Sequence, residues 1–311
     1  MSEVPTNAES NEAAASGGSS VQAPVPSPMA AKPQVFLNGQ FVPAEQALVP
    51  VNDRSFMYGD GLFETVPVYN GRPVRWAQHL ERMTRGAEFL KMRVPYTVKE
   101  LRGFASQLIE RNQMPNSILR VTLSRGVGER GYSPKGADSP LLVMSLHEAP
   151  LVDLANPPAW TLKTSEHKLP VVDPAGTYKT NNKLLQIIAK MEAEADGCDD
   201  ALMLNSNGEV AETASANLFW IYRGTVYTTP TGRGMLPGIT RAVVLEICQA
   251  KNLPAGKRII KPDALFNSEG IFLTLSTLGI VSVTSIDGRP VDDSPVVDQI
   301  RRAYWEAVVK S

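Results

Sequence analysis

The sequence predicts a mixed α/β protein with two domains. Its 311 residues are enough for two domains that each bury a sizeable core. Two Asn-Gly turns, at residues 38–39 and 70–71, lie between strand-like runs and indicate β-hairpins. Three prolines within residues 148–158 indicate a linker. We therefore expect a small α+β domain over residues 34–148, a linker over residues 149–158 and a larger domain over residues 159–311.

The first 33 residues are predicted to form a disordered tail. They are rich in Ala, Ser, Pro, Gly and Glu and contain almost no large apolar residues, so they cannot bury enough apolar surface to fold. They also lack the apolar core of a signal peptide. Translation from Met29 is an alternative that the sequence leaves open.

Composition and charge exclude several classes of partner. The net charge is −1 and no basic run is present, so we expect neither nucleic acid nor an anionic membrane surface as a partner. No apolar stretch is long enough to span a bilayer. The spacing of Cys198 and Cys248 fits neither a metal site nor a disulfide framework, which is typical of a cytoplasmic protein. His79, His147 and His167 are too scattered to form a metal site.

The N-terminal domain is predicted to contain an antiparallel sheet and two helices. Turn signals and apolar runs predict strands over residues 34–37, 40–42, 62–69, 73–75, 118–124 and 141–146. Helical spacing predicts helices over residues 77–91 and 98–112. In the first helix, Trp76, Leu80, Met83 and Ala87 form one apolar stripe, and Arg82 lies at its edge.

The C-terminal domain is predicted to be richer in strands. We expect strands over residues 160–164, 201–204, 209–212, 217–222, 225–229, 271–275 and 280–286. Helices are expected over residues 182–195, 241–250 and 295–309. Ser294 is suited to cap the last helix, and Pro295 is suited to its first turn.

Lys179 lies just before the helix predicted over residues 182–195, so we expect it at a helix N-terminus. The positive end of the helix dipole and burial both disfavour an ammonium, which would lower the pKa of this lysine. A lysine that is partly neutral is a nucleophile towards carbonyl groups. The alternative is a solvated loop lysine, which the local context alone favours.

Glu212 is predicted to lie in a strand that follows a turn at residues 205–208. A carboxylate among apolar strands needs a partner, because burying it unpaired is costly. A protonated ring nitrogen would be such a partner. The alternative is a glutamate at a sheet edge that faces water.

Three motifs together resemble the class IV (fold type IV) aminotransferases, which depend on pyridoxal 5′-phosphate (PLP). They are Lys179-Thr-Asn-Asn, the run over residues 208–219 and Met235-Leu-Pro-Gly-Ile-Thr-Arg241. The family includes branched-chain aminotransferases, D-amino-acid transaminases and aminodeoxychorismate lyases. The resemblance implies a small N-terminal α+β domain and a larger domain with a barrel-like sheet, with the cofactor between them. It also implies a homodimer in which partner loops complete the substrate pocket.

The resemblance assigns roles to the residues that would hold PLP. It implies that Lys179 is the catalytic residue, bonded to the cofactor as a Schiff base, and that Glu212 holds the pyridine nitrogen. Asn217 and Ser215 would support them. The remaining cofactor contacts would come from Arg82, Leu236, Gly238, Ile239, Thr240, Ser276 and Thr277. Several of these residues also have a simpler explanation. Arg82 would be an exposed helix arginine, Gly238 and Thr240 would form an ordinary helix cap, and Ser276-Thr277 would form a turn.

A glycine-rich loop over residues 125–133 is the candidate substrate loop. It lacks the Lys-Ser/Thr ending of a phosphate loop. The resemblance implies that Arg130 and Tyr132 hold substrate carboxylates and that Thr277 contacts the substrate carboxylate as well. Phe63 is a further predicted substrate contact. The alternative is a plain mobile hairpin loop.

The expected function is transfer of an amino group between a small amino acid, branched-chain ones included, and a 2-oxo acid. The main alternative is an aminodeoxychorismate lyase, which releases 4-aminobenzoate and pyruvate. The Arg130-Gly-Tyr-Ser run favours the lyase, whereas Lys183 departs from the lyase-like arginine. A D-amino-acid transaminase is less favoured because Phe63 lacks a hydroxyl and Tyr132 replaces the usual histidine. Pro67 stands where many relatives have a basic residue. A non-catalytic scaffold would need the lysine or glutamate to be lost, and both are present.

Overall fold

Two β-sheets and six α-helices form the part of the chain that the structure describes. The computed structural model describes residues 32–309. The predicted disordered tail and the alternative start at Met29 lie outside the described residues, except for Lys32 and Pro33. The mixed α/β class predicted from the sequence is confirmed.

The first sheet is antiparallel and contains six strands, which are β1 (Gln34–Leu37), β2 (Gln40–Pro43), β3 (Gly61–Tyr69), β4 (Arg72–Pro73), β5 (Ser117–Ser124) and β6 (Leu141–Glu148). Their spatial order is β2-β1-β6-β5-β3-β4. At the two predicted hairpin turns, Asn38 and Asn70 have φ values of 43° and 50°. Such positive values are required at the first central residue of a type I′ turn, which explains the Asn-Gly pairs.

Three helices accompany the first sheet, namely α1 (Arg54–Tyr58), α2 (Trp76–Phe89) and α3 (Val98–Asn112). The predicted apolar stripe of α2 packs into a core with β3 and α3. A capping box between Thr97 and Glu100 fixes the start of α3. Sequence periodicity did not predict α1, which is too short to show it. The Asp53 carboxylate accepts hydrogen bonds from two backbone N–H groups at the start of α1.

The second sheet contains nine strands and curls into a half-barrel. They are β7 (Ala159–Leu169), β8 (Asp200–Asn205), β9 (Val210–Thr213), β10 (Asn217–Tyr222), β11 (Thr225–Thr228), β12 (Ala255–Lys257), β13 (Gly270–Leu275), β14 (Gly279–Ile286) and β15 (Arg289–Pro290). The order is β12-β11-β10-β13-β14-β7-β8-β9, and β15 pairs with β14. The strand pairs β7–β8, β7–β14 and β11–β12 are parallel, and the others are antiparallel.

Both faces of the second sheet are covered, as the alternation of side chains along β10 shows. Phe219 and Ile221 belong to a core shared with the helices α5 (Ile239–Ala250) and α6 (Pro295–Val309). Leu218 and Trp220 point to the opposite face and join a second core. Residues 218–221 of this strand are therefore apolar on both faces, unlike a strand with one face in water.

The segment around Lys179 differs from the prediction. The helix α4 (Leu184–Ala195) begins after Lys183, so the expected place of Lys179 at a helix N-terminus is wrong. Instead, the Lys179 carbonyl accepts a hydrogen bond of 2.9 Å from the backbone N–H of Phe63, and Asn181 N–H donates to the Gly61 carbonyl at 2.9 Å. This pairing with β3 keeps the segment extended and delays the helix.

Three of the large apolar side chains of α4 lie on its exposed side. Leu184, Ile187 and Met191 are 63%, 53% and 62% exposed, whereas Ala189 and Ala193 are buried. The helix therefore packs against β7 and β8 through small residues. Residues 149–158 form no strand or helix, as expected of a linker, although the domain boundaries stay a prediction.

Candidate active site

A cavity of about 540 Å³ is lined by residues from both sheets. Its size suits a small-molecule site. The structure brings together on its wall most of the residues predicted to contact cofactor or substrate, namely Phe63, Arg82, Lys179, Glu212, Leu236, Gly238, Ile239, Thr240, Ser276 and Thr277. Arg130 and Tyr132 are not among the lining residues.

Lys179 presents its amine to this cavity without a hydrogen-bond partner among the described residues. Its Nζ lies 4.6 Å from the centre of the Phe63 ring, a contact between a cation and an aromatic face. Burial, followed by the positive charge of Arg82, lowers the pKa of Lys179 to about 8. The predicted direction of this shift agrees with the structure, but its cause is burial and charge rather than a helix end. Lys179 is thus an amine that readily becomes neutral and nucleophilic.

Glu212 is a buried carboxylate in β9 with one oxygen bound and one free. Its Oε2 accepts hydrogen bonds from Asn217 Nδ2 and from the Leu236 backbone N–H, both at 3.0 Å. Oε1 has no partner among residues 32–309. Burial raises the pKa of Glu212 to about 7, although the Leu236 hydrogen bond and the charge of Lys183 oppose the rise. The carboxylate can therefore accept a further hydrogen bond from a molecule in the cavity.

Asn217 connects Glu212 to the start of α5, as expected of a supporting residue. Its Nδ2 also donates to the Leu236 carbonyl at 2.8 Å. A Cβ atom on Gly238 would lie 2.0 Å from Asn217 Oδ1, so this position requires glycine. The close approach fixes α5 next to Glu212.

The first turn of α5 offers unpaired backbone donors to the cavity. Gly238 is the N-cap and has no side chain to accept a hydrogen bond, so the N–H groups of Ile239 and Thr240 lack intrahelical acceptors. Ser276 and Thr277 add hydroxyl groups from the turn between β13 and β14. A helix N-terminus with nearby hydroxyls is suited to bind a phosphate.

Arg82 is held by a carboxylate that the sequence analysis missed. Its Nε and Nη2 donate to the two oxygens of Glu64 at 2.7 and 2.6 Å, and Nη1 donates to the Pro237 carbonyl at 3.0 Å. His79 Nδ1 lies 2.7 Å from Glu64 Oε2. Burial alone would raise the pKa of Glu64, but hydrogen bonds from Arg82 and His79 hold it at about 2.

A sequence signal for Glu64 did exist. In β3 it shares one face with Leu62, Val66 and Val68, which are buried in the first core. A carboxylate at such a position needs a positive partner. Burial lowers the pKa of His79, so the ring is neutral at pH 7 and donates its Nδ1 proton to the carboxylate.

Two further charged groups near the cavity were also missed. Asp200 Oδ2 accepts hydrogen bonds from the hydroxyls of Thr213 and Ser215, each at 2.7 Å, and so positions the turn that follows Glu212.

Arg120 lies on β5 with its guanidinium carbon 4.0 Å from the centre of the Phe63 ring. It has no acidic partner among the described residues, and such a guanidinium is suited to bind a carboxylate.

The glycine-rich loop over residues 125–133 contributes no residue to the lining of this cavity. Arg54 donates to the backbone carbonyls of Gly131, Tyr132 and Ser133 at 2.9 to 3.1 Å. The Tyr132 side chain is exposed, with 90% of its surface accessible. The loop is therefore pinned by Arg54 and points outward, and the substrate role of Arg130 and Tyr132 stays a prediction.

The described residues carry no group of His, Cys, Asp and Glu side chains that could hold a metal ion. In the same part of the chain, no helix combines the length and apolar character needed to cross a membrane.

Comparison with known proteins identifies the family. The model of the class IV amino-transferases matches residues 61–286. A D-alanine aminotransferase of Staphylococcus aureus is 30% identical over 281 residues, which cover 87% of this chain and 96% of the relative. The branched-chain aminotransferase of the archaeon Thermoproteus uzoniensis, solved with norvaline, has a TM-score of 0.82 at 26% identity, covering 89% of this chain and 95% of that one. The 4-amino-4-deoxychorismate lyase of Pseudomonas aeruginosa has a TM-score of 0.78 at 25% identity, covering 88% and 99%.

These structures confirm the fold type IV architecture implied by the sequence motifs. The relatives carry three different activities in their names, so the comparison establishes the family and leaves the substrate open. The chain belongs to the class IV aminotransferase family, which includes PLP-dependent transaminases.

Proposed function

We propose that this protein is an aminotransferase that moves an amino group between a small amino acid and a 2-oxo acid, with PLP bound through Lys179. The observation that carries this proposal is the placement of Lys179 and Glu212 on one cavity wall. One supplies an amine with a pKa of about 8, and the other supplies a buried carboxylate with a free oxygen. These are the two groups that would hold opposite ends of a PLP ring.

The other residues of the cavity fit PLP as well. The free Oε1 of Glu212 suits a protonated ring nitrogen, and the N–H groups of Ile239 and Thr240 suit the phosphate. The buried hydroxyl of Thr274 lines the cavity and lacks a partner among the described residues, so a bound molecule would satisfy it. PLP supplies an aldehyde and a ring that accepts electrons from the substrate.

Lys179 would act twice in the reaction. Its neutral amine would hold the cofactor through the aldehyde that PLP supplies. Once a substrate amine has taken its place, the freed Lys179 amine would serve first as the general base and then as the general acid for the proton of the substrate α-carbon. A pKa of about 8 suits both steps, because neither protonation state is rare near neutral pH.

Glu212 and Arg82 would orient the cofactor. Ionised Glu212 would accept a hydrogen bond from a protonated ring nitrogen and would favour its protonated form. Arg82 is fixed by Glu64 and Pro237, and its remaining N–H groups are available at the cavity wall. Its guanidinium is suited to the phosphate.

A homodimer and substrate contacts from the partner chain are part of the proposal. The loop that carries Arg130 and Tyr132 is held in place yet faces outward, so these side chains could serve the cavity of a second copy. Phe63 and Thr277 would contact the substrate within the same chain. A cytoplasmic location stays a prediction.

An aminodeoxychorismate lyase is the second candidate. It is favoured by the likeness to the Pseudomonas aeruginosa lyase and by the Arg130-Gly-Tyr-Ser run. A panel of L-amino acids, D-amino acids and aminodeoxychorismate tests both candidates, with 2-oxo acid and 4-aminobenzoate as the measured products. We expect 2-oxo acid from a small amino acid. Formation of 4-aminobenzoate without amino transfer would contradict the aminotransferase proposal.

A further inference from the structure

A second lysine, Lys183, lies on the wall of the same cavity as Lys179 and Glu212. It occupies the N-cap of α4, four residues after Lys179 along the chain. Its side chain is partly buried and has no hydrogen bond or ion pair shorter than 4 Å among the described residues. A lysine with a partly buried amine and no direct partner is uncommon, because burial without pairing is unfavourable.

The charges around Lys183 come from four separate elements. Glu212 faces it from β9, Asp173 from the loop before Lys179, and Arg82 from α2. Lys179 faces it from the extended segment. On α4 itself, Lys190 and Glu194 are about two turns away or more and pair with each other at 3.6 Å. Burial lowers the pKa of Lys183, and the charges of Glu212 and Asp173 oppose this and favour the ammonium. No carboxylate among the described residues contacts the Lys183 amine directly, whereas Arg82 is bound by Glu64.

We propose that Lys183 is a positioning residue of the active site, whose positive charge keeps Lys179 in its neutral, nucleophilic form and Glu212 in its ionised form. A cation close to a lysine disfavours the charged form of that lysine and thereby activates it. The same cation favours the charged form of a neighbouring carboxylate. This inference rests on the proposed function, in which Lys179 bonds to PLP and Glu212 holds the ring nitrogen.

The pKa of Glu212 depends on opposing effects of burial and of the charge on Lys183. Burial raises the pKa of Glu212 to about 7, and Lys183 is the charged side chain that opposes this rise most strongly. Without Lys183, a larger fraction of Glu212 would be protonated at neutral pH. A protonated Glu212 would no longer stabilise a proton on the pyridine nitrogen of PLP. For Lys179, burial and the charge of Arg82 lower the pKa and the charge of Glu64 raises it, and each of these outweighs the lowering by Lys183, so the effect of Lys183 there is smaller.

The test is competitive acetylation of the full-length, cofactor-free protein with acetic anhydride across a range of pH. Peptide mass spectrometry gives the labelling midpoint of each lysine in the same sample, and exposed Lys135 is the internal reference. In the Lys183→Met and Lys183→Gln variants we expect the Lys179 midpoint to rise by about half a pH unit, which lowers its labelling rate at pH 7 about threefold. Lys183→Arg should restore the original midpoint because it keeps the charge.

Lys190→Met is the matched control, since it removes a lysine of the same helix that already has a partner, and the Lys179 midpoint should not move. The inference is overturned if Lys183→Met and Lys183→Gln leave the midpoint unchanged, or if Lys183→Arg shifts it as they do. A wild-type protein that binds no PLP and transfers no amino group would instead contradict the proposed function.

Discussion

Two buried glutamates near the same cavity have opposite surroundings. Glu64 has both oxygens occupied by Arg82 and one shared with His79, at distances of 2.6 to 2.7 Å. Glu212 receives two hydrogen bonds on Oε2 and none on Oε1 from the described residues. The pKa of Glu64 is held at about 2 by Arg82 and His79 against the effect of burial, whereas burial raises that of Glu212 to about 7.

The difference separates a structural carboxylate from one that awaits a ligand. A buried charge that is paired and hydrogen-bonded is tolerated, and its removal leaves its partner unpaired. A buried carboxylate oxygen without a hydrogen bond is energetically unfavourable, and a bound molecule that donates a hydrogen bond to it can remove this penalty. We therefore expect substitutions of Glu64 to affect mainly stability and cofactor anchoring, and substitutions of Glu212 to affect mainly the reaction.

Of the two glutamates, Glu212 is expected to have the larger effect on rate when it is replaced, as in Glu212→Gln. This variant should fold and bind PLP but transfer amino groups several orders of magnitude more slowly, because an amide cannot keep a proton on the ring nitrogen. Glu209→Gln, in the turn just before the same strand, is the matched control and should keep its turnover. An unchanged kcat in Glu212→Gln would remove Glu212 from the active site.

The largest effect on stability is expected for Glu64→Gln. Removing one partner of a buried ion pair costs about 3–5 kcal/mol, so urea unfolding should show a loss of this order. Glu81→Gln on α2 breaks an exposed pair with Arg85 and should leave the unfolding free energy within error. Equal effects of the two substitutions would contradict the structural role of Glu64.

A smaller effect is expected for Gly238→Ala. A Cβ atom at this position would press on Asn217 Oδ1 and displace either α5 or the support of Glu212. We expect a loss of about 1–3 kcal/mol in unfolding free energy together with weaker PLP binding in an absorbance titration. Gly103→Ala is the control: its added Cβ meets nothing within 4 Å, so stability should rise by about 0.5–1 kcal/mol. Normal PLP affinity in Gly238→Ala would show that the close approach is dispensable.

The smallest expected effect is on the pH dependence of stability, to which Glu64 and Glu212 should contribute in opposite directions. The folded-state pKa of Glu64 is below its ordinary value of 4.5, so its stabilisation is present above pH 4.5 and is lost as pH falls towards about 2. The pKa of Glu212 is raised, so its contribution is present below pH 4.5 and is lost as pH rises through about 7. In cofactor-free protein, Glu212→Gln should gain stability over wild type as pH rises from 4.5 through about 7. Parallel pH curves for the two proteins would refute this assignment.

The sequence motifs predicted many of the residues that line the cavity. The contacts that depend on pairing between distant segments could not be predicted from the sequence. Lys179, Glu212 and the glycine before α5 were predicted to share one site because the order of three motifs resembles a known family, whereas the local context of each residue left another explanation open. Glu64 and Arg82 are 18 residues apart and lie on different elements. The periodicity of a single helix or strand therefore cannot predict that they pair. The extended state of Lys179 depends on β3, far away in sequence, so local spacing placed it at a helix end. The outward direction of Tyr132 follows from Arg54 and was equally hidden.

The most direct test of the central claim is to locate the lysine that bonds to PLP. Protein incubated with PLP is reduced with borohydride, digested and mapped by mass spectrometry, and Lys179→Ala is analysed beside it. We expect the phosphopyridoxyl group on Lys179, and we expect Lys179→Ala to lose both the yellow absorption and all turnover. A label on Lys183 or another lysine, or normal activity in Lys179→Ala, would contradict the account.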